Sequence, residues 1–336
     1  MDKKMTEIRT LAGQRLMLGF DSPVFNDEIK YIINDIKAGG IILFKNNIED
    51  PEQISALCRD CQAYARKCGL LPLMIAVDQE GGTVARLKKG FTQFKGNPFI
   101  QSIEDARIFA RITAQELKAV GINMNLAPVL DIEPKGVSSI MKDRVFKADA
   151  NIVSILGKEV INTLQKNGIM AVAKHFPGIG RTVLDSHFHL PKLDISLETL
   201  ECSDLIPFKH AIKSNVSGMM LSHIFYPDLD QDWQASLSPA IANELLRNKL
   251  GYQGIIMTDD LDMKAIGHDM KTCVRQILLS QIDMALICHA GPNIEIAADE
   301  INCLLSDEPL LYEMGKVSVE RILRFKKQYL KHEFKL

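Results

Sequence analysis

MAVAKHF, residues 170–176, is a short apolar run that carries Lys174 and His175 near its end. It does not alternate strictly between apolar and polar residues. Runs of this kind are typical of strands in a parallel sheet that is buried on both faces. The run therefore predicts a buried strand with two ionisable side chains at its carboxyl end.

Similar runs recur along the chain, and longer segments with helical periodicity separate them, such as NDEIKYIINDIKAGG and SPAIANELLRNKLG. Eight strands that alternate with helices predict an α/β fold, a single (β/α)8 TIM-type barrel over residues 1–336. A doubly wound parallel sheet is the alternative. The other apolar runs are RLMLGF (15–20), GIILF (40–44), LMIAVD (73–78), INMNLAP (122–128), GMMLSH (218–223), GIIMTDD (254–260) and MALICH (284–289).

Polar side chains end five of these predicted strands. In a (β/α)8 barrel the carboxyl ends of the strands surround the active site. Because an unpaired buried charge is costly, we interpret the five polar ends as one converging site. The residues are Asp78, Lys174 with His175, His223, Asp259 with Asp260, and His289.

Composition excludes several classes of partner. A formal charge of −2 over 336 residues gives no electrostatic case for binding nucleic acid or an anionic membrane. The N-terminus lacks the apolar stretch of a signal peptide, and no run approaches the roughly 20 residues that span a bilayer. Cys58 and Cys61 form a C-x-x-C pair inside a predicted helix, which favours reduced thiols over a redox or zinc role. We therefore expect a cytoplasmic protein, with a monomer as the default.

The loop KHFPGIGRTVLDSHFHLP, residues 174–191, is rich in ionisable groups. Its Gly-x-Gly lacks the P-loop lysine, so we interpret the glycines as turn residues and not as a phosphate cradle. Asp185 and His187 are two residues apart, and in an extended segment they point the same way. The carboxylate could then orient the imidazole as a general acid/base, although a solvated loop histidine remains the alternative.

Two more stretches carry carboxylates. Asp259 ends an apolar run and is expected to project into the barrel mouth, where a carboxylate suits a nucleophile or an electrostatic stabiliser. Asp260 and Asp262 are interpreted as loop or helix-cap residues. Asp78 and Arg86, in VDQEGGTVARL, form either a hydroxyl-binding pair or a surface pair.

Taken in order, VDQEGGTVARL, NMNLAPVLDI followed by DRVF, KHFPGIGRT with DSH, MLSHIFYP and GIIMTDDLDM resemble glycoside hydrolase family 3. Within that family they resemble the bacterial β-N-acetylhexosaminidases of cell-wall recycling. The resemblance implies a (β/α)8 barrel without metal or cofactor, and retaining double displacement on a small carbohydrate. It implies release of terminal non-reducing β-linked N-acetylglucosamine from peptidoglycan-derived muropeptides.

The resemblance also assigns roles by motif position. Asp259 would be the nucleophile, and His187, paired with Asp185, would be the general acid/base. A histidine donor fits the absence of a convincing second carboxylic acid in the motifs, although Glu80 could be argued. The residues that would hold the terminal N-acetylglucosamine are Asp78, Arg86, Arg144, Lys174 and His175.

One position departs from the family, which usually has a second histidine where this chain has Ile179. The intact DSH triplet nevertheless predicts an active enzyme. A phosphorylase remains possible, because a histidine acid/base would not repel phosphate as a carboxylate would. A non-catalytic sugar-binding protein on the same fold and a metal-dependent barrel hydrolase are the less favoured interpretations.

Overall fold

A closed barrel of parallel strands organises the computed structural model, which describes residues 3–183 and 190–334. The hydrogen-bonded order around it is β1-β10-β9-β8-β7-β6-β3-β2, whereas β4 and β5 form a separate antiparallel pair. The (β/α)8 prediction is confirmed, and the doubly wound sheet is wrong. The strands are β1 (Leu16–Leu18), β2 (Gly40–Leu43), β3 (Met74–Val77), β4 (Gln79–Gly81), β5 (Val84–Ala85), β6 (Met124–Asn125), β7 (Met170–Phe176), β8 (Gly218–Leu221), β9 (Ile255–Asp260) and β10 (Met284–Ile287).

Helices surround the barrel, and side-chain caps fix where several of them begin. The side chains of Asn26, Asp50 and Ser102 accept hydrogen bonds from backbone N–H groups of the first turn. The helices are α1 (Lys3–Gln14), α2 (Asp27–Asn34), α3 (Pro51–Lys67), α4 (Ile103–Ala119), α5 (Ala150–Lys166), α6 (Leu197–Cys202), α7 (Leu205–Lys213), α8 (Met270–Leu279), α9 (Pro292–Asp307) and α10 (Pro309–Tyr329).

One predicted helix differs in kind from the others. The SPAIANELLRNKLG segment forms a π-helix over Ala240–Lys249, with hydrogen bonds one residue wider than in an α-helix. Across residues 3–183 and 190–334, no helix combines the length and the hydropathy needed to cross a bilayer.

Methionine dominates the inside of the barrel. This inner cluster includes Ile322 and Phe325 of α10, which pack against the inward-facing strand residues. Helix α10 therefore closes the barrel at the end opposite the carboxyl ends of the strands. The inward-facing residues are Met17, Ile42, Met74, Ala76, Met124, Leu126, Met170, Val172, Met220, Ile255, Met257, Met284, Leu286 and Cys288.

The chain that leaves β7 packs closely against neighbouring segments at two glycines. Gly178 has φ +128°, and its carbonyl accepts a hydrogen bond of 2.8 Å from the Tyr226 hydroxyl. A Cβ at Gly180 would stand 1.9 Å from the Ile132 carbonyl oxygen. Gly178 thus has the positive φ of a turn residue that the sequence predicted, whereas Gly180 serves close backbone packing, which was not predicted.

Candidate active site

A cavity of about 620 Å³ opens at the carboxyl ends of the barrel strands. Its inner end is apolar, with Ile42, Leu126, Met220 and Leu286 from inside the barrel. Its rim is charged. The cavity brings together Asp78, Arg86, Arg144, Lys174, His175 and Asp259, all predicted from the sequence to belong to the site.

Three charged side chains interlock on one side of the cavity. Arg144 makes a bidentate contact with Glu80, with Nε–Oε2 at 3.0 Å and Nη2–Oε1 at 2.8 Å. The Lys174 ammonium lies 2.7 Å from the same Glu80 oxygen. Burial alone raises the pKa of the Glu80 carboxyl, but Lys174 and Arg144 outweigh burial and hold that pKa below its usual value. Glu80 is therefore an ionised anchor for two cations and not a proton donor.

Asp78 joins this network from the end of β3. Its carboxylate is 2.5 Å from the Lys174 ammonium and 3.6 Å from Arg86. Burial raises the pKa of Asp78, yet the two cations lower it further than burial raises it. The same carboxylates raise the pKa of Lys174 in spite of burial, so that the lysine keeps its charge. Asp78 and Arg86 therefore form a pair at the cavity rim, with one acceptor group and one donor group available to a hydroxyl-rich ligand.

His175 is held from behind by a buried carboxylate that was not predicted from the sequence. The Asp131 Oδ2 atom lies 2.7 Å from His175 Nδ1, and the other ring nitrogen lies 3.4 Å from Arg144 Nη2. Asp131 has no exposed surface. The sequence signal for it was present in LAPVLDI (126–132), where an aspartate interrupts an otherwise apolar run.

Asp259 lies across the cavity near the end of β9, where its carboxylate accepts a 2.9 Å hydrogen bond from the Asp260 N–H. Burial raises the pKa of the Asp259 carboxyl. His223 and His175, which become cationic when protonated in the acid range where a carboxyl titrates, together with that N–H outweigh burial and leave the pKa below its ordinary value. Asp259 is therefore an ionised carboxylate at neutral pH.

His223, predicted from the sequence to end a strand at the site, lies two residues beyond β8 and does not line the cavity. Its Nε2 atom donates to the Asp260 carbonyl at 2.7 Å, and Nδ1 lies 2.6 Å from the Ser236 hydroxyl. Burial lowers its pKa, so the ring is neutral. His223 thus holds the end of β9 in place through its hydrogen bond to the Asp260 carbonyl.

Asp260 is the last residue of β9, and its side chain connects the segments that follow β9 and β10 through hydrogen bonds. Its Oδ1 atom accepts the backbone N–H groups of Asp262 at 3.0 Å and Cys288 at 3.1 Å. Burial raises the pKa of this carboxyl. Its other oxygen faces the His289 ring at 3.7 Å, and that ring stacks on Phe44 with centroids 6.0 Å apart. This corner closes the cavity beside β10.

Some of the predicted features lie elsewhere. Asp185 and His187 fall outside the described residues, so their pairing stays a prediction. Cys58 and Cys61 are buried in α3, and burial raises the pKa of Cys61 to about 12, so neither thiol is reactive. Within residues 3–183 and 190–334, no three His, Cys, Asp or Glu side chains are grouped to hold a metal ion.

The site therefore offers donors and acceptors of hydrogen bonds around an ionised carboxylate. Lys174, Arg144 and Arg86 can donate only, whereas Asp78 and Asp259 can accept only. A polyhydroxylated ligand can bond with both kinds of group at once. A carboxylate kept ionised at neutral pH can attack an electrophilic carbon or stabilise a cationic transition state.

Comparison with known proteins gives a consistent set of relatives. The model of the glycosyl hydrolase family 3 N terminal domain matches residues 1–324. A beta-hexosaminidase of Thiobacillus denitrificans is 36% identical over 285 residues, which cover 82% of this chain and 78% of that protein. A beta-hexosaminidase of Nitrosomonas eutropha is 33% identical over 328 residues, which cover 94% of this chain and 90% of that protein.

A solved structure shares the architecture closely. The family 3 β-N-acetylglucosaminidase of Paenibacillus sp. str. FPU-7 superposes with a TM-score of 0.91 at 34% identity. The alignment covers 96% of this chain and 62% of that one, so this chain spans about three fifths of the Paenibacillus protein.

Proposed function

The chain belongs to glycosyl hydrolase family 3, and from that premise we propose that it is a retaining exo-β-N-acetylglucosaminidase that releases terminal non-reducing β-linked N-acetylglucosamine. The observation that carries the proposal is Asp259, an ionised carboxylate in the same cavity as five side chains that can exchange hydrogen bonds with sugar hydroxyls. The motif resemblance to cell-wall-recycling enzymes favours muropeptide fragments as the natural substrates.

The proposed reaction proceeds in two displacements. In the first, a carboxylate oxygen of Asp259 forms a bond to the anomeric carbon as the bond from that carbon to the leaving oxygen breaks. His187 gives its proton to the leaving oxygen. In the second, water forms a bond to the anomeric carbon and gives a proton to His187, while the ester to Asp259 breaks. Two inversions return the β-configuration.

The charges of the cavity carboxyls support the assignment of the nucleophile to Asp259 and of the proton donor to another residue. The lowered pKa values of Asp259 and Glu80 leave neither carboxyl with a proton to give at neutral pH. A proton donor from elsewhere is therefore needed, and His187 is our candidate because its ordinary pKa lies near 6.5. Asp260, whose pKa is raised by burial, is the competing candidate among the cavity carboxyls.

Shape supports exo action. The inner end of the cavity is sealed by barrel residues, and α10 closes the barrel beneath them. A sugar that enters from the mouth therefore meets a closed floor, and we assign the terminal sugar of the glycan to the space between that floor and the charged groups.

The first experiment compares release of p-nitrophenol from its N-acetyl-β-glucosaminide and its β-glucoside, each with and without inorganic phosphate. We expect turnover of the acetamido sugar, no acceleration by phosphate, and free N-acetylglucosamine that is first formed as the β-anomer. Formation of N-acetylglucosamine 1-phosphate would identify a phosphorylase. No turnover of either glycoside by the folded protein would contradict a hydrolase and favour a sugar-binding protein. A second comparison, between a muropeptide and chitobiose, tests the natural leaving group.

His187→Ala tests the proton donor. We expect kcat to fall by about 10²–10⁴-fold on a substrate with a poor leaving group such as chitobiose, because the leaving oxygen then departs without a proton. The fall should be smaller with p-nitrophenol, which leaves readily as an anion. The matched variant is Asp260→Asn, measured on the same two substrates. Retention of activity in His187→Ala together with a substrate-dependent loss in Asp260→Asn would assign the proton to Asp260.

A further inference from the structure

Asp131 is a buried carboxylate whose two oxygens serve two neighbours at once. Oδ2 lies 2.7 Å from Nδ1 of the His175 ring. Oδ1 accepts the backbone N–H of Ile179 at 2.8 Å, and both oxygens lie 3.3 Å from the backbone nitrogen of His175. Ile179 and His175 both line the cavity. One side chain therefore anchors two parts of the cavity wall.

The partners of the His175 ring define which nitrogen carries the proton. A carboxylate only accepts hydrogen bonds, so the proton on this side of the ring belongs to Nδ1. On the other side, Nε2 lies 3.4 Å from Arg144 Nη2, and a guanidinium only donates. Nε2 is then the accepting nitrogen. Together the two contacts favour the tautomer with its proton on Nδ1.

We propose that Asp131 is a positioning residue that fixes His175 in the Nδ1–H tautomer and so makes Nε2 an acceptor for a sugar hydroxyl. This inference rests on the proposed function only in naming the ligand as a sugar. Asp131 itself does not line the cavity and would act through His175.

The tautomer matters because of the groups beside it. Lys174 and Arg144 occupy this wall and can only donate hydrogen bonds. A hydroxyl that lies between these cations and His175 can accept from a cation and donate to Nε2. If Nε2 carried the proton, Lys174, Arg144 and His175 would present donors alone. The hydroxyl proton would then need an acceptor outside these three side chains, such as Asp78.

The first test uses the unmodified protein and needs no turnover. Two-dimensional NMR of protein labelled with ¹⁵N-histidine reports which ring nitrogen is protonated, and His175→Gln identifies the signals of His175 among those of the eight histidines. We expect a protonated Nδ1 and an unprotonated Nε2 at neutral pH. Addition of N-acetylglucosamine should shift Nε2 more than Nδ1. A proton on Nε2 in the free protein would overturn the proposal, whether or not the protein hydrolyses glycosides.

The second test is Asp131→Asn, in which either orientation of the new amide creates a conflict. With its NH2 group toward His175, the amide forces the ring proton onto Nε2. With its NH2 group toward Ile179, it faces backbone N–H donors. We expect a fall of about 10–100-fold in kcat/KM, the usual cost of removing a residue that orients a ligand-binding side chain. The NMR signature should move to the Nε2–H form.

Asp204→Asn is the matched control. Asp204 is an equally buried aspartate that holds Arg181, at 2.9 Å from Oδ2, in the chain that leaves β7. It has no contact with His175, so its variant should keep the Nδ1–H signature. If Asp131→Asn also keeps that signature, or keeps kcat/KM within twofold of the unmodified protein, the positioning role is wrong.

Discussion

Asp259→Asn should lower kcat on p-nitrophenyl N-acetyl-β-glucosaminide by about 10⁴–10⁶-fold, the scale at which the loss of a nucleophile is felt in other covalent hydrolases. An amide is isosteric with the carboxylate but is a far poorer nucleophile. The variant should still fold, because the oxygen of the new amide can accept the hydrogen bond that the Asp260 N–H donates to the Asp259 carboxylate in the unmodified protein. The measurements are steady-state kinetics with a thermal melt to verify folding.

Asp259→Ala sharpens this test, because removal of the side chain leaves room for an added anion. With azide present, the azide nitrogen should bond to the anomeric carbon as nitrophenolate leaves, giving an α-glycosyl azide at a partly restored rate. Asp262→Asn is the matched control. It accepts from the His289 N–H and the Asn293 amide and is not expected to touch the anomeric carbon, so it should cost less than about tenfold. A similar loss in both variants, without azide rescue, would contradict a nucleophilic Asp259.

Lys174→Met should reduce both stability and sugar binding. Removal of the ammonium takes a partner from Glu80 at 2.7 Å and from Asp78 at 2.5 Å, inside a wall where Lys174 is only 3% exposed. Breaking a buried ion pair on one side costs about 3–5 kcal/mol, and Arg144 keeps the cost near the lower end because it still holds Glu80. We expect the free energy of unfolding to fall by about 3 kcal/mol in a urea titration, and KM to rise.

The dependence of stability on pH provides a second measurement on Lys174→Met. Asp78 and Glu80 have pKa values below those of the unfolded chain, so their contribution to stability is present above the unfolded pKa, near 4, and is lost as pH falls through the folded pKa. Removal of Lys174 raises the folded pKa of both carboxyls. The variant should therefore lose stability at a higher pH than the unmodified protein does.

The control for this pair of measurements is Lys249→Met, which breaks a surface ion pair of 2.7 Å with Glu201. Exposed pairs contribute at most about 1 kcal/mol, so this variant should melt almost as the unmodified protein does. If Lys174→Met were equally mild, the buried network would not be the electrostatic anchor that we describe.

Much of the barrel was predictable, because its strands obey a local rule. A strand that is covered on both faces must be largely apolar, and a site at the strand ends needs polar side chains there. The apolar residues of MAVAKHF therefore indicate a buried strand, and its Lys174 and His175 indicate a site at the end of that strand. Helix starts were similarly local, as the cap at Asn26 shows. The short strand Met124–Asn125 was harder, because the predicted run continued to residue 128 and most of it is irregular.

The pairing of side chains within the site was not predictable by the same local rules. Arg144 stands in a segment without regular structure, and nothing near it in sequence indicates that Glu80 will hold it. Asp131 also has its partners far along the chain, at His175 and Ile179. Such pairings depend on how β3, the loop after β6, and β7 come together in the barrel. The role of His187 depends on residues outside the described part of the chain and stays a prediction.

The closed inner end of the cavity has a kinetic consequence. Because the barrel is sealed beneath the sugar by its own side chains and by α10, no molecule can pass through the barrel, and all must leave on the side of the strand carboxyl ends. In our proposed cycle the leaving group would depart first, water would enter behind it, and the released sugar would be the last to leave. Free N-acetylglucosamine would then occupy the position that the next substrate needs, held by the same charged wall. We therefore expect free N-acetylglucosamine to compete with substrate for this position and so to inhibit the enzyme.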